Sequence, residues 1–153
     1  MTDKAIKIIH HNKKASHDYQ LLEKLEVGMV LTGSEIKSIR GGSCNLKDAY
    51  VLIERGELYL HKAHISTYKE STHNNHAPER KRKLLAHKIE IERLDRKATA
   101  SGLTIVATKI YLKNGRAKLE IALAKGKKAH DKRAAIKKRD VGREISQTLR
   151  KNR

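Results

Sequence analysis

Tryptophan and phenylalanine are absent from this 153-residue chain, and tyrosine, at positions 19, 50, 59, 68 and 111, is its only aromatic. Proteins that grip bare single strands stack bases on several aromatic platforms. A nucleic-acid partner of this chain is therefore expected to be a structured RNA, met through shape and phosphates. Cysteine is reduced to Cys44. One thiol can build neither a disulfide framework nor a CxxC zinc site, and a reducing compartment is the default. No run approaches the roughly 18–20 apolar residues of a membrane span. Residues 5–9 are apolar except for Lys7 and are followed by His10-His11, which argues against a secretory leader. Acid is scarce as well: 17 Asp and Glu face 35 Lys and Arg, a net charge of +18. A chain of this length forms one domain plus at most a tail, and at +18 it repels itself unless it meets a polyanion.

The charge is uneven. Residues 125–153 carry 12 Lys and Arg against 3 acids, a net of +9, and residues 1–124 carry the other +9. In the last 29 residues the large apolar side chains are Ile136, Val141, Ile145 and Leu149. Wound as a helix, Ala134, Val141, Ile145 and Leu149 make one narrow stripe, with Ile136 on the far side and Lys138 inside it. Such a stripe is too thin to offset the entropy of ordering. The expectation is a tail that is disordered alone and helical on a polyanion. The plain alternative is a solvated tail that aids solubility.

The body reads mostly as strands. Residues 1–16 are basic and polar apart from Ile6, Ile8 and Ile9 and are expected to form a mobile arm. Tyr19, Leu21, Leu25 and Val27 alternate with Gln20, Lys24 and Glu26, as in a half-buried strand that Leu22 and Glu23 interrupt. Gly28 suggests a bend or bulge. Ser34 caps a helix bearing Ile36 and Ile39 that stops at Gly41-Gly42. Hairpins turn at Arg55-Gly56 and at Asn114-Gly115, the latter a preferred type I′ pair. Leu84, His87, Ile91, Leu94 and Ala98 repeat at helical spacing, which predicts a helix over 83–101 with Gly102 as its cap. Between them lies a long polar loop, 66–82, holding the only proline, Pro78. About six strands and two or three helices suggest a small antiparallel barrel over 17–124, of the oligonucleotide-binding kind.

Chemistry-bearing constellations are thin. His73 and His76 lie in the loop without a cysteine or carboxylate pair, and His61 and His64, three apart on a strand, point to opposite faces. No HExxH, GxSxG or phosphate-cradling glycine loop occurs, so neither a metal, a cofactor nor a catalytic residue is expected. Basic clusters are the stronger signal: Asn12-Lys13-Lys14, Arg80-Lys81-Arg82-Lys83, and Lys125-Gly126-Lys127-Lys128 with Lys132-Arg133 and Lys137-Lys138-Arg139. Three such clusters favour phosphate binding that weakens steeply with salt. Composition stops at RNA or DNA. A ribosomal or initiation-type protein on rRNA, or an RNA-processing enzyme, stays open at this point.

An ordered set of motifs goes further. Asn12-Lys13-Lys14-Ala15 with His17-Asp18-Tyr19, Val30 through Arg40, Asn45 through Tyr50, Ala63-His64-Ile65, Asn75-His76, Arg82-Lys83-Leu84-Leu85 with His87-Lys88, Tyr111 with Lys113-Asn114-Gly115, and Gly126-Lys127-Lys128 with His130-Asp131-Lys132-Arg133 occur in sequence. With these the chain resembles the small protein B family, the bacterial SsrA-binding proteins of trans-translation. The resemblance implies a cytoplasmic, non-catalytic monomer: an oligonucleotide-binding barrel with flanking helices and a tail disordered in solution. It implies binding to the tRNA-like domain of transfer-messenger RNA, delivery to the vacant A site of a stalled ribosome, and elongation factor Tu as a partner reached through the charged RNA. It assigns the RNA elbow to Asn12, Lys13, His17, Tyr19, Glu35, Lys37, Arg40, Arg82 and Lys83. Glu35 would accept hydrogen bonds from base edges or 2′-hydroxyls, or else simply favour its helix N-terminus; Tyr19 would touch RNA or serve as a core strand residue. The decoding centre and mRNA channel fall to Gly126, Lys127, Lys128, His130, Asp131, Lys132, Arg133, Ile136, Lys137 and Arg139. The family often has tryptophan where this chain has Val141 and proline where it has Thr67. Val141 weakens the aromatic anchoring of the tail, and Gly142 lowers helix propensity there by about 1 kcal/mol.

Overall fold

The computed structural model describes residues 5–68 and 75–127. Within them the chain runs β1 (Ile6–His11), α1 (Lys13–Asp18), β2 (Tyr19–Met29), α2 (Gly33–Arg40), β3 (Cys44–Asn45), β4 (Tyr50–Glu54), β5 (Glu57–His61), β6 (His64–Ile65), β7 (Arg82–Leu85), α3 (Lys88–Ser101), β8 (Thr104–Lys113) and β9 (Arg116–Gly126). The main sheet is ordered β1-β8-β4-β5-β7-β2-β9, and β9 returns to pair with β8. Strands β8, β4, β5, β7, β2 and β9 therefore close a ring. All of its pairings are antiparallel, so the fold is a mainly β, oligonucleotide-binding-like barrel with three helices. Closure pairs both edges of these six strands and leaves β1 as an outer strand on β8. The inward rows supply Val27, Leu58, Leu60, Leu84, Ile110, Leu119 and Ile121 to one core, joined by Ile39 of α2 and by Ile91 and Leu94 of α3.

The strand alternation of residues 19–27 holds, and its interruption is real. The register of β2 on β9 shifts between Leu21 and Glu23, a bulge that leaves Leu22 exposed. At Gly28, β2 passes from one neighbour to the other, facing both Lys118 and Leu85. A Cβ on Gly28 would stand 3.3 Å from that of Leu85, so the crossing favours a residue without one. Both hairpin turns carry the left-handed backbone that their type demands: Arg55 and Gly56 at φ 52° and 76°, Asn114 and Gly115 at 53° and 78°.

Four expectations are corrected. Residues 6–16 are not a mobile arm: β1 pairs antiparallel with β8 from Ile6↔Lys113 to His11↔Lys109, and α1 follows at once. The polar composition misled because β1 is an outer strand with Ile6 and Ile8 exposed. The helix expected from Lys83 begins at Lys88; before it, Arg82 and Leu84 point inward and Lys83 and Leu85 outward. That period of two is hidden because Leu84 also falls in step with Ile91 and Leu94. The cap of α2 is Thr32, not Ser34: its hydroxyl accepts from the Glu35 N–H, and the Glu35 carboxylate accepts from the Thr32 N–H at 2.9 Å. Finally, Lys125 and Gly126 belong to β9, paired with Gln20 and Tyr19.

Candidate nucleic-acid interface

The residues proposed from sequence fall into three groups. The first surrounds α1. Asn12 is only 3% exposed. Its side-chain carbonyl caps α1 at the Ala15 N–H, and its amide donates to Leu46 O at 2.8 Å and Ala107 O at 2.9 Å. It is thus an internal clamp tying α1 to the β3–β4 connection and to β8, and not a surface contact. With α1 held, Lys13 and Lys14 face solvent, and the His17 ring sits 2.8 Å from the Asp18 carboxylate. Tyr19 packs on Ala15, Val106 and Ala124 and also lines a cleft of about 360 Å³ with Lys14, Lys47, Tyr50 and Lys62. Tyr19 is thus a packed strand residue whose side chain also borders an open cleft. Asn12→Ala removes a cap and orphans two carbonyls, and is expected to cost about 2 kcal/mol. Urea denaturation checks this; a stability equal to wild type would refute the clamp.

The second group is internal. Glu35 and Arg82 are both 0% exposed and form an ion pair through Arg82 Nε. Arg82 also donates to Ala63 O at 2.7 Å and Pro78 O at 3.0 Å, while Arg80 reaches the other carboxylate oxygen at 2.6 Å. Burial pushes the Glu35 carboxyl upward, but hydrogen bonds from Arg80, the Thr32 N–H and Arg82 outweigh it and hold the group down at about 2. Of the two readings of Glu35, the structure supports the one at the helix N-terminus: the carboxylate is 0% exposed and accepts from the Thr32 N–H, Arg80 and Arg82. The expectation for Arg82 is corrected. A run of four cations looks like a solvated face, but β7 alternation turns Arg82 into the barrel and leaves Lys83 outside. His76 joins this internal network, linking Ser34 Oγ at 2.9 Å with Ile65 O at 2.8 Å.

The third group is outward. Lys37 lies over the Tyr68 ring at 5.4 Å, Arg40 donates to Gly115 O at 3.4 Å, and Lys83 pairs with Glu57 at 3.0 Å. Lys47, Tyr50 and Lys62 line the cleft beside α1, which no local periodicity of the sequence signals. Gly126 ends β9, and Lys127 is tied by its N–H to Asp18 O and by Nζ to Ser16 O, both at 3.0 Å. Lys128, His130, Asp131, Lys132, Arg133, Ile136, Lys137 and Arg139 lie outside the described residues.

Other chemistry finds little footing. Burial pushes the Cys44 thiol up to about 11, so it is a neutral thiol at ordinary pH and a poor nucleophile. Among the described residues no three His, Cys, Asp or Glu side chains gather as metal ligands, and no helix is long and apolar enough to cross a membrane.

Comparison with known proteins decides the family. The family model described as "SmpB protein" matches residues 9–151. The chain belongs to the SmpB family. It is 54% identical to an SsrA-binding protein of Sulfurihydrogenibium sp. over 144 residues, 94% of this chain and 95% of that one. Against an SsrA-binding protein of Bdellovibrio bacteriovorus it is 53% identical, covering 97% of each. A chain from the solved structure titled "tmRNA-SmpB: a journey to the center of the bacterial ribosome" superposes with a TM-score of 0.66 at 45% identity, covering 78% of this chain and 85% of that one.

Proposed function

We propose that this SmpB-family protein is the RNA-binding adaptor of trans-translation in the cytoplasm of its host. It binds the tRNA-like domain of transfer-messenger RNA and brings it into the vacant A site of a ribosome stalled without a stop codon. There it stands in for codon–anticodon pairing while the charged RNA, carried by elongation factor Tu, accepts the peptide. The protein itself makes and breaks no covalent bond. The observation that carries this proposal is identity above one-half with SsrA-binding proteins across nearly their whole length.

The physical division of labour follows from burial. Asn12, Glu35 and Arg82 hold α1, α2 and β7 in place, and the contacts with RNA fall to the side chains that those elements turn outward: Lys13, His17, Lys37, Arg40 and Lys83, with Tyr19 at the rim of its cleft. Cations of this kind set affinity through counterion release, and the fixed geometry of the barrel sets which RNA shape they fit. The tail from Lys128 onward supplies the ribosomal contacts.

Purification of the tagged protein from its host, followed by sequencing of the bound RNA, tests the proposal. Transfer-messenger RNA is expected to dominate. Enrichment of rRNA alone would favour a constitutive ribosomal protein and overturn it, and cleavage of the bound RNA on adding Mg²⁺ would point to a processing enzyme instead.

A further inference from the structure

The Lys113-Asn114-Gly115 motif has no part in the contacts assigned above, yet the barrel concentrates charge around it. A cleft of about 390 Å³ at the β8–β9 turn is lined by Glu26, Lys113, Asn114, Arg116 and Lys118. Arg40, at the end of α2, donates to the Gly115 carbonyl at 3.4 Å and so brings a fourth cation to the same turn. The single acid, Glu26, is already engaged: the Tyr111 hydroxyl donates to it, and Lys113 Nζ lies 3.3 Å from it. Hydrogen bonding from Tyr111, against the effect of burial and with help from Lys113 and Lys118, lowers its pKa, so it stays ionised and bound to its partners. Among the described residues Arg116 and Lys118 form no ion pair within 4 Å. Both are set on β9, two residues apart on one face, and Lys118 acts on Glu26 only through its field.

We propose that this turn is a phosphate-gripping site, in which Arg116 and Lys118, flanked by Arg40, hold the phosphodiester backbone of the tRNA-like RNA. The inference rests on the RNA-binding reading above, because Arg40 joins the turn to the face on which α2 presents Lys37. The chemistry is that of guanidinium and ammonium donors on nonbridging phosphate oxygens. Arg116 can bind two such oxygens at once, while Lys118 acts as a point charge. Contacts of this type position RNA without reading its sequence.

The test compares salt dependence. Affinity of the full chain for an isolated tRNA-like RNA fragment is measured between 50 and 300 mM KCl for wild type, for Arg116→Gln with Lys118→Gln, and for a control with Lys88→Gln and Arg96→Gln on the exposed side of α3. Each released phosphate contact contributes about 0.9 to the slope of log affinity against log salt, so the turn variant is expected to lose about 1.8 and the control nothing comparable. A turn variant with the slope of wild type, or a control that loses as much, overturns the site. So does a turn variant that weakens binding to small ribosomal subunits while leaving the fragment untouched. Thermal unfolding of all three proteins confirms equal folding. Failure of the broader RNA-binding reading looks different: wild type itself would then show no preference for the fragment over an unrelated hairpin.

Discussion

Glu35→Gln is expected to lower the stability of the barrel by about 3–5 kcal/mol, because it leaves the buried Arg82 guanidinium without its counter-charge. Arg82 cannot relax toward water: it is 0% exposed and fixed by the carbonyls of Ala63 and Pro78. The pH dependence carries the same signature. In the fold the carboxyl is held down at about 2, below its ordinary value of about 4.5. A depressed pKa means that the stabilisation is complete above about pH 4.5 and drains away as pH falls toward 2. Its size is about 3 kcal/mol at about 1.4 kcal/mol per pH unit, in line with the first figure. Glu23, Glu26, Glu54 and Glu57 also have lowered pKa values, so the wild-type curve alone mixes their effects with that of Glu35. The difference between wild type and Glu35→Gln isolates it: it should shrink from its full value near pH 6 almost to nothing near pH 2. Urea midpoints across that range are the measurement. RNA affinity should fall only as the folded fraction falls. A variant as stable as wild type that nonetheless loses RNA would mean that Glu35 touches RNA directly.

This residue also shows where sequence stops. Types and order were enough to single out Glu35 and Arg82, but not the direction in which they point. That depends on the pairing of β7 with β5, which sets Arg82 opposite Leu60 on an inward row. A four-residue strand has too few alternations to announce itself, and the helical spacing running from Leu84 into α3 conceals it. The same limit explains β1: an outer strand with exposed isoleucines has the composition of an arm. By contrast, both hairpin turns were legible, because each is set by local backbone chemistry; the break at Leu22 and Glu23 was visible, but the bulge was expected at Gly28 and lies between Leu21 and Glu23 instead. The cleft beside Tyr19 was not legible, since it joins α1, the β3–β4 connection, Lys62 and β8 across long stretches of chain. The sequence therefore named candidates without their arrangement, and the arrangement turns three of the nine elbow candidates, Asn12, Glu35 and Arg82, into internal supports.

Truncation after Lys127 is expected to leave binding to the tRNA-like RNA within a few-fold of wild type while peptide tagging falls to background. The cut position follows from the fold. Ending the chain at Ala124 would strip the partners of Gln20 and Tyr19 and the bonds from Lys127 to Asp18 and Ser16, damaging the cleft itself. Ending it at Lys127 keeps all of these. The segment removed, 128–153, carries 10 Lys and Arg against 3 acids. Its loss weakens nonspecific attraction, so the comparison belongs at about 150 mM salt, where exposed charges beyond about 8 Å are screened. Under those conditions affinity for the fragment reports the barrel alone. Tagging is read with a ribosome stalled on an mRNA lacking a stop codon, supplied with charged transfer-messenger RNA and elongation factor Tu. If the truncated protein loses the fragment as well, the barrel and tail do not divide the work, and the positive charge of residues 128–153 contributes to holding the RNA. If it retains the fragment and still supports tagging, the tail is dispensable to the ribosomal step. Only retained binding with lost tagging fits an adaptor whose two ends meet two different RNAs.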